Sequence, residues 1–380
     1  MNFAKRFLGV VLALLMAVSL FACSKNETPD PVDSGDGSGL RQDLKVAFVL
    51  DQAKTDGSWA QSHYEAIVRV MNDMGLTDKQ VVVMEQIDAY SPDAESVIEM
   101  LAKDGNQLIV ACSSGFTNAV SAVAARHPDV KFAQFEGATS DNMAAYSVRE
   151  YSAVFLVGYA VARMSKSDKL GFIGCQPQAS VIRGLNAFAE GVKYANEEAT
   201  IKVLWANSWY DPAKEKEATN TLIGEGINSI GFYGGTTAVA IACGERDDCY
   251  TNGYNIDIHD VAPGAVVTSF VWKWDPIYKK LISMVNDGNW SSETMFPGIE
   301  DGACDVTEFN GKIMPEEIVK ECNELRDKML AGEIPVFQGP VVDNKGNVVL
   351  EEGDEFTLDD YTNMMFLLDN IIGDVPKTGD

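Results

Sequence analysis

The chain has 380 residues, of which 46% are hydrophobic, and its formal net charge is −26 at pH 7. This length suits two domains of ordinary size, and the hydrophobic fraction lets each domain bury a core of its own. A surface this acidic repels phosphate backbones, so the composition argues against a protein that binds DNA or RNA.

The amino terminus has the pattern of a secretory signal. A positive start, Lys5-Arg6, precedes an almost wholly apolar run at 7–21, and the letters LFAC end at Cys23. The run is shorter than the ~20 residues of a membrane-spanning helix, which argues against a transmembrane anchor. LFAC resembles the lipobox of bacterial lipoproteins. We therefore expect removal of residues 1–22 and a lipid on Cys23, which attaches the protein to the bacterial cell membrane, facing the periplasm or the cell exterior.

Residues 23–42 are expected to form a flexible tether, because they are rich in Ser, Gly, Asp and Pro and carry almost nothing apolar. Six more cysteines follow, at positions 112, 175, 243, 249, 304 and 322. Cys243 and Cys249 flank the polar segment GERDD, and a local disulfide is one possibility that their spacing leaves open. Cysteines and the three histidines show no zinc-type spacing, so no metal site is expected.

From residue 44 onward, apolar strand-like runs alternate with helical periodicity. The runs lie at 45–50, 80–86, 107–112, 131–136, 169–174, 201–207, 228–234 and 265–272. The helical segments lie at 92–103, 117–126, 151–164, 179–196, 211–225 and 236–245. This alternation predicts an α/β fold of parallel sheets with flanking helices.

The number of strand–helix units is too large for one compact sheet and predicts two lobes. The pattern restarts near Arg149-Glu150, and the last part of the chain holds two helices, at 276–286 and 315–331, and a hairpin at 339–350. We assign 43–149 plus about 273–332 to an N-terminal lobe. A C-terminal lobe then comprises 150–272 plus about 333–380. A chain that returns late to its first lobe is the arrangement of a hinged binding protein.

Two segments, 112–115 and 234–237, invite an enzymatic interpretation. Residues 112–115, CSSG, follow a strand, but the GxSxG motif is absent and no histidine is placed as a base. Nothing matches GxxxxGK[ST], so a phosphate loop is absent as well. Tight turns that contact a ligand or cap a helix account for these residue types, and we expect no enzyme.

What remains is a set of aromatic and hydrogen-bonding residues at the carboxyl ends of strands, where α/β sheets bind ligands. The set is Asp56, Ser58, Trp59, Gly115, Phe116, Trp209, Gly234, Thr236, Asp257, Trp272 and Trp274. Asp56 or Ser58 can cap the following helix. Trp59 could fold into the core or stack on a flat ligand, and the sequence leaves both open. An aromatic and polar site between two lobes suits a planar heterocycle.

The same residues carry a resemblance to a known family. The segments KVAFVLDQAKTDGSWAQSHYEA, YSAVFLVGYAVARMSKSDKLGFIG and NSWYDPAKEKEATNTLIGEGINSIGFYGG are the most telling. From Lys45 to its end the chain resembles the basic membrane protein (BMP) family of bacterial substrate-binding lipoproteins, which serve ABC importers of purine nucleosides. The resemblance implies a two-lobed type I periplasmic-binding fold with three crossovers, a purine nucleoside or base in the cleft, permease subunits as partners, and no cofactor.

By motif, the resemblance gives Trp59 the role of stacking on the base, and it puts Gly115 and Phe116 at a second strand-end contact. Trp209 matches an aromatic that closes over the ligand, and Asp257 matches an acidic residue that binds ribose hydroxyls.

One departure bears on the ligand. Where many nucleoside binders have a lysine, this chain has Trp272, with Lys273 one residue away. The departure favours a free base or another flat ring. The alternative is a binding or sensing lipoprotein of the same fold for another flat or sugar-like molecule.

Overall fold

The computed structural model describes residues 39–376. The signal peptide expected at 1–22, the acylation site Cys23 and most of the tether expected at 23–42 lie outside these residues. From Leu40 onward the chain forms one compact unit. No helix within 39–376 is long and apolar enough to cross a membrane.

Strands and helices alternate along the described chain. The strands are β1 (Val46–Val49), β2 (Val81–Met84), β3 (Leu108–Ala111), β4 (Lys131–Phe135), β5 (Met143–Tyr146), β6 (Lys169–Gly174), β7 (Thr200–Trp205), β8 (Ser229–Tyr233), β9 (Tyr250–Gly253), β10 (Val266–Trp272), β11 (Thr294–Met295), β12 (Cys304–Val306), β13 (Val341–Val342), β14 (Val348–Leu350) and β15 (Ile371–Ile372). The helices are α1 (Trp59–Met74), α2 (Pro92–Lys103), α3 (Thr117–Arg126), α4 (Tyr151–Arg163), α5 (Ala179–Ala195), α6 (Pro212–Gly224), α7 (Ala238–Gly244), α8 (Asp275–Asn286), α9 (Glu316–Leu330) and α10 (Leu358–Thr362).

Local sequence explains where the helices begin and end. At α2, the Ser91 side chain accepts a hydrogen bond from the Asp93 N–H, and Pro92 occupies the first turn. Helix α1 ends at Gly75, whose φ of 70° is a backbone conformation that glycine adopts without strain. Signals of this kind are local, and the predicted segment 92–103 coincides with α2.

The strands form two large sheets and a small hairpin. The first sheet has the order β11-β5-β4-β3-β1-β2, and all its strands are parallel. The second has the order β12-β10-β9-β8-β6-β7-β15, in which β12 alone runs antiparallel to its neighbour. Strands β13 and β14 form the predicted hairpin. The two-lobed α/β prediction is confirmed.

The chain passes between the two sheets three times, after β5, after β10 and after β11. The crossing segments run side by side. The Arg149 N–H donates to the Pro297 carbonyl at 2.8 Å, and the Lys273 N–H donates to the Ala303 carbonyl at 2.9 Å. These bonds join the three crossovers into one hinge.

One assignment differs from the sequence prediction, which returns all of 273–332 to the N-terminal lobe. Helix α8 packs on α1, and β11 joins the first sheet. Strand β12, however, pairs with β10 of the second sheet, and α9 packs on α4. For residues 304–330 the prediction is therefore wrong, because strand pairing between distant segments decides the lobe.

The core lies on both faces of the sheets. One continuous buried cluster extends from the α1 side of the first sheet through the crossovers into the second lobe. A smaller cluster fills the opposite face of the first sheet, beneath α2 and α3. The carboxyl ends of the strands are left to loops, and there the candidate site lies.

Candidate functional site

Strained backbone marks the carboxyl edges of both sheets. Gln86, Glu136, Asn207 and Asn255 have φ of 60°, 49°, 52° and 74°, and each lies one or two residues after a strand. Non-glycine residues adopt this conformation at a cost and retain it where the surrounding structure requires it. The strain therefore concentrates at the edges where ligands bind in α/β folds.

The two edges meet across the cleft at a direct hydrogen bond. Asn255, after β9, donates through Nδ2 to Ser58 Oγ, after β1, at 2.7 Å, and its Oδ1 accepts from the Trp272 indole N–H at 2.7 Å. All three side chains are buried. Asn255 thus connects the lobes, and the sequence analysis missed it.

Asp56 shapes the loop that carries Ser58 and Trp59. Its carboxylate accepts hydrogen bonds from the N–H groups of Ser58, Ala60 and Gln61 at 2.9 to 3.0 Å. Gly57, with φ of 73°, allows the turn. The carboxylate therefore caps the start of α1 and fixes the positions of Ser58 and Trp59. In this structure Asp56 has that capping role in place of the direct ligand contact expected from the sequence.

Three aromatic rings form a stack at the hinge, with Trp59 against its side. Trp272 lies on Trp274 with ring centres 4.8 Å apart, and Trp274 lies on His63 at 4.2 Å. Trp59 meets the stack edge-on and donates its indole N–H to the Cys112 carbonyl at 2.9 Å. We use the name aromatic stack for the three stacked rings together with Trp59, that is, for Trp272, Trp274, His63 and Trp59.

Members of the aromatic stack differ in accessibility. Trp274 is fully buried and Trp272 nearly so, whereas Trp59 is only partly buried. Burial also lowers the pKa of His63 well below its usual value, so its ring stays neutral. Trp59 can therefore present a surface to the cleft, and the full burial of Trp274 excludes the direct ligand contact expected of it.

Phe116 lies on the face of the first sheet that α2 and α3 cover. It is fully buried in that cluster, away from the strand-end contact expected of it. Gly115 is explained by packing, since a Cβ there would lie 2.8 Å from Ala89 Cβ and 3.0 Å from the Tyr90 ring. An apolar residue after a strand-end turn can face either side of the sheet, and Phe116 faces the side on which it is buried.

Asp51, at the end of β1, is a polar group that the sequence analysis did not single out. Burial raises the pKa of its carboxyl to about 6, and a hydrogen bond with the Ser113 side chain opposes the shift. Its buried Oδ1 has no hydrogen-bond partner among the described residues. Ser113 follows Cys112, whose carbonyl binds Trp59. Asp51 and Trp59 therefore adjoin the same turn.

The opposite edge, which we call the second-lobe rim, consists of Trp209, Tyr210, Thr236 and Glu215. Trp209 is 45% exposed and Tyr210 is 68% exposed. A Cβ at Gly235 would lie 2.7 Å from the Trp209 carbonyl oxygen, so glycine permits this close approach. The rim therefore presents aromatic surface that the fold does not use.

Glu215 lies buried behind Thr236. The Thr236 hydroxyl donates to Glu215 Oε2 and accepts from the Ala238 N–H. The other oxygen, Oε1, is buried without a hydrogen-bond partner in the described part of the chain, and burial raises the pKa of this carboxyl to about 7. Gly234 is packed against the Phe232 ring, which would lie 2.6 Å from a Cβ. Thr236 is thus committed to the fold, and its neighbour Glu215 has hydrogen-bonding capacity left.

Asp257 is exposed and bonded locally, in contrast to Asn255. Its carboxylate accepts from the His259 N–H at 3.0 Å and contacts His259 Nδ1 at 2.8 Å. The buried side chain that meets the other lobe after β9 belongs to Asn255.

A buried ion pair sits beside the hinge. Arg183 of α5 donates to both oxygens of Glu150, at 2.8 and 2.9 Å, and to the Tyr361 carbonyl. Its guanidinium also lies 3.8 Å from Glu136 of the first lobe and over the ring of Phe296 in the third crossover. Burial raises the pKa of Glu150 to about 7 even with this partner. Arg183 therefore links both lobes and a crossover.

The described residues contain no group of three or more side chains with the composition of a metal site. Partly exposed aromatic rings and unused hydrogen-bond acceptors thus lie at the carboxyl edges of both sheets. Such groups are suited to binding an organic ligand.

Comparisons with known proteins agree with this geometry. Residues 44–338 match the Bmp family model, described as ABC transporter substrate-binding protein PnrA-like. A purine-binding protein of Brucella abortus (strain 2308) is 31% identical over 344 residues, which cover 90% of this chain and 97% of that protein.

Two further similarities are more distant. A putative ABC transporter glucose-binding protein of Haloferax volcanii is 27% identical, covering 92% of this chain and 86% of that protein. The solved structure of an ABC transporter solute-binding protein from Conexibacter woesei is 21% identical, with a TM-score of 0.63 over 77% of this chain and 98% of that chain, and supports the fold alone. The resemblance found in the sequence is thereby confirmed. The chain belongs to the Bmp family of PnrA-like substrate-binding proteins of ABC transporters, and it is a binding protein, not an enzyme.

Proposed function

We propose that the protein is a membrane-tethered, extracytoplasmic receptor of an ABC importer that binds a purine base or purine nucleoside between its lobes. The observation that carries the proposal is the pairing of Trp59 with Asp51 at one turn. Asp51 adjoins the turn that binds the Trp59 indole, so its unused oxygen is the candidate acceptor for a flat ring stacked on the accessible part of Trp59. Purines combine a stacking face with N–H donors at the ring edge, so they match both groups.

The second-lobe rim completes the site on closure. Trp209 has the exposed surface to cover the other face of the ring, and Glu215 Oε1 can accept a further hydrogen bond. Closure is favoured by a ligand because only the closed form offers both sides of the cleft. The closed receptor then delivers its ligand to separate permease subunits.

The surroundings of Trp272 favour a free base over a nucleoside. Its indole is held in the aromatic stack by Trp274 and by the hydrogen bond to Asn255. The neighbouring Lys273 is paired with Asp305 at 3.0 Å. Trp272 carries no charge, and the ammonium group of Lys273 is already paired, so this position offers no free cation to ribose hydroxyls. The name of the Brucella abortus relative supports the purine class.

A sugar ligand is the second candidate, supported by the glucose-binding name of the Haloferax volcanii relative. Thermal-shift and calorimetric titration of residues 40–380 with adenine, guanine, hypoxanthine, their nucleosides and glucose distinguishes the two. A ligand at a hundredfold excess over Kd stabilises the fold by about 2.7 kcal/mol. A response to purines alone supports the proposal, and a response to glucose alone overturns it.

Two variants test whether Trp59 contacts the ligand in that titration. Trp59→Ala removes the stacking surface, and we expect purine affinity to fall at least about tenfold. The matched control is Trp290→Ala, since Trp290 is a partly buried tryptophan that follows α8 and lies away from the carboxyl edge of the first sheet. Equal affinities in the two variants would exclude Trp59 from the site.

The lipid anchor has its own test, because Cys23 lies outside the described residues. We expect the full-length protein to fractionate with membranes when expressed in bacteria and Cys23→Ala to leave them. Retention of Cys23→Ala in the membrane after removal of its signal would indicate a different attachment.

A further inference from the structure

Two buried cysteines in the second lobe lie side by side. The sulfur atoms of Cys243 and Cys249 are 3.0 Å apart, and both side chains are buried thiols. The contacts of Cys112 and Cys304, in contrast, are with oxygen atoms: Val110 O and Tyr278 Oη, and Ser152 Oγ and Arg149 O. The pair is therefore positioned for chemistry between its own sulfurs.

The short turn between them keeps the two sulfurs together. Cys243 lies in the last turn of α7 and Cys249 immediately precedes β9, with residues 244–248 as the only link. The Arg246 N–H closes this turn on the Cys243 carbonyl at 3.0 Å. Residues 244–247 are exposed, so local opening of one small turn gives a reagent access to both thiols.

We propose that Cys243 and Cys249 are a redox pair that forms an intramolecular disulfide by exchange with an external disulfide, either a small molecule or a thiol–disulfide oxidoreductase. Substrate-binding proteins of ABC importers act outside the cytoplasm, where disulfides persist. The bond would tie the end of α7 to the start of β9, at the edge of the sheet opposite Asn255.

The reaction proceeds in two exchanges. The Cys249 thiolate attacks the external disulfide R–S–S–R, forms a mixed disulfide and releases one R–S⁻. Cys243 then loses its proton to water, and its thiolate attacks the Cys249 sulfur and expels the second R–S⁻. Two protein thiols are oxidised, and one external disulfide is reduced to two thiols. The hydrogen bond between the two sulfur atoms lowers the pKa of Cys249 and raises that of Cys243, which supports this order.

Peptide mapping tests the bond directly. Reduced protein, residues 40–380, is incubated with oxidised glutathione, unfolded, alkylated with N-ethylmaleimide and cut with trypsin. Cleavage after Arg246 separates Cys243, in peptide 217–246, from Cys249, in peptide 247–273. We expect the two peptides to remain joined until reduction, and four of the six cysteines of this fragment to carry the label. Labelling of all six, with separate peptides, overturns the proposal.

Thermal unfolding tests what the bond does. We expect oxidised glutathione to raise the Tm of the parent protein by a few degrees, because the bond restricts the unfolded chain. Cys249→Ala should lose this shift. Cys322→Ala, which removes a buried second-lobe cysteine from α9, should keep it. An equal shift in both variants would mean that the oxidant acts elsewhere. Neither readout depends on a purine, so a failed ligand titration leaves them unaffected.

Discussion

The aromatic stack and the second-lobe rim are both rich in aromatic residues, yet the fold uses them differently. In the aromatic stack, Trp272 and Trp274 are buried, stacked and hydrogen-bonded through their indole nitrogens. On the second-lobe rim, Trp209 is 45% exposed and Tyr210 is 68% exposed. Aromatic residues at strand ends can therefore be part of the core or remain accessible. The stack belongs to the core beside the hinge, whereas the rim leaves aromatic surface exposed.

The largest effect is expected in the aromatic stack. Trp274→Ala removes a fully buried ring and leaves a cavity, so we expect unfolding in urea to require about 4 kcal/mol less. Trp209→Ala is the matched control and should change stability by less than about 0.5 kcal/mol. Similar losses in the two variants would abolish the distinction between stack and rim.

The next largest effect concerns the buried ion pair of Arg183 and Glu150 beside the hinge. Arg183→Ala leaves Glu150 buried without its partner, and we expect a loss of about 3 kcal/mol in unfolding free energy. The double variant Arg183→Met with Glu150→Leu replaces the pair by apolar groups and should recover part of the loss. A single variant as stable as the parent would show that Arg183 does not hold the hinge.

A smaller effect, on pH dependence, follows from one carboxyl on each side of the cleft. The raised pKa values of Asp51, about 6, and Glu215, about 7, mean that the folded protein binds protons more tightly than the unfolded chain. Their contribution to stability is complete below the unfolded pKa values and is lost as pH rises through 6 and 7.

Asp51→Asn and Glu215→Gln replace the carboxyl by an amide that does not ionise. Each should therefore remove the loss of stability that its carboxyl causes as the pH rises. We expect each variant to be about 1–2 kcal/mol more stable than the parent at about pH 8 and no more stable at about pH 3, in urea titrations. Glu217→Gln, on the exposed face of α6, is the control and should follow the parent. A gain that is the same at both pH values would point to packing and not to charge.

On the second-lobe rim, we expect an effect of similar size on ligand binding and almost none on stability. Trp209→Ala should weaken the purine ligand about tenfold, the contribution of one stacked ring, by calorimetry. Tyr194→Ala is the control, because Tyr194 is an exposed aromatic at the far end of α5. If both variants bind as tightly as the parent, the rim does not close over the ligand.

The smallest effect is expected at Asp257, because its carboxylate is occupied by His259. Asp257→Asn should change binding by less than about 0.5 kcal/mol for bases and nucleosides alike. A loss confined to nucleosides would return Asp257 to the ribose-binding role that the family resemblance gives it.

The sequence predicted what depends on neighbours along the chain. Ser91 and Pro92 define the start of α2, and short runs of mostly apolar residues define β1 to β4, so these elements were located closely. Strands β11 and β15 have two residues each, too few for any periodic signal. The lobe of β12 depends on its pairing with β10, which no local pattern encodes.

The candidate site was predicted less well, because side-chain direction decides it. Phe116 turns into the core, and Asp257 turns to solvent. Asn255 lies in the same GYNID segment as Asp257, but its left-handed backbone directs its amide across the cleft. A strained asparagine after a strand is a signal worth weighing, since strain of this kind concentrates at functional edges.

The hydrogen bond between Ser58 and Asn255 allows the affinity of the receptor to change without a change in its selectivity. It joins the lobes to each other, so it favours closure by the same amount whatever the ligand is, on the order of 1 kcal/mol. Weakening it, as in Ser58→Ala, should lower affinity for every ligand by one common factor, and the ratio of Kd values between two ligands would stay constant. Selectivity would then reside in the ring-facing groups alone, and the working concentration range could be changed independently of it.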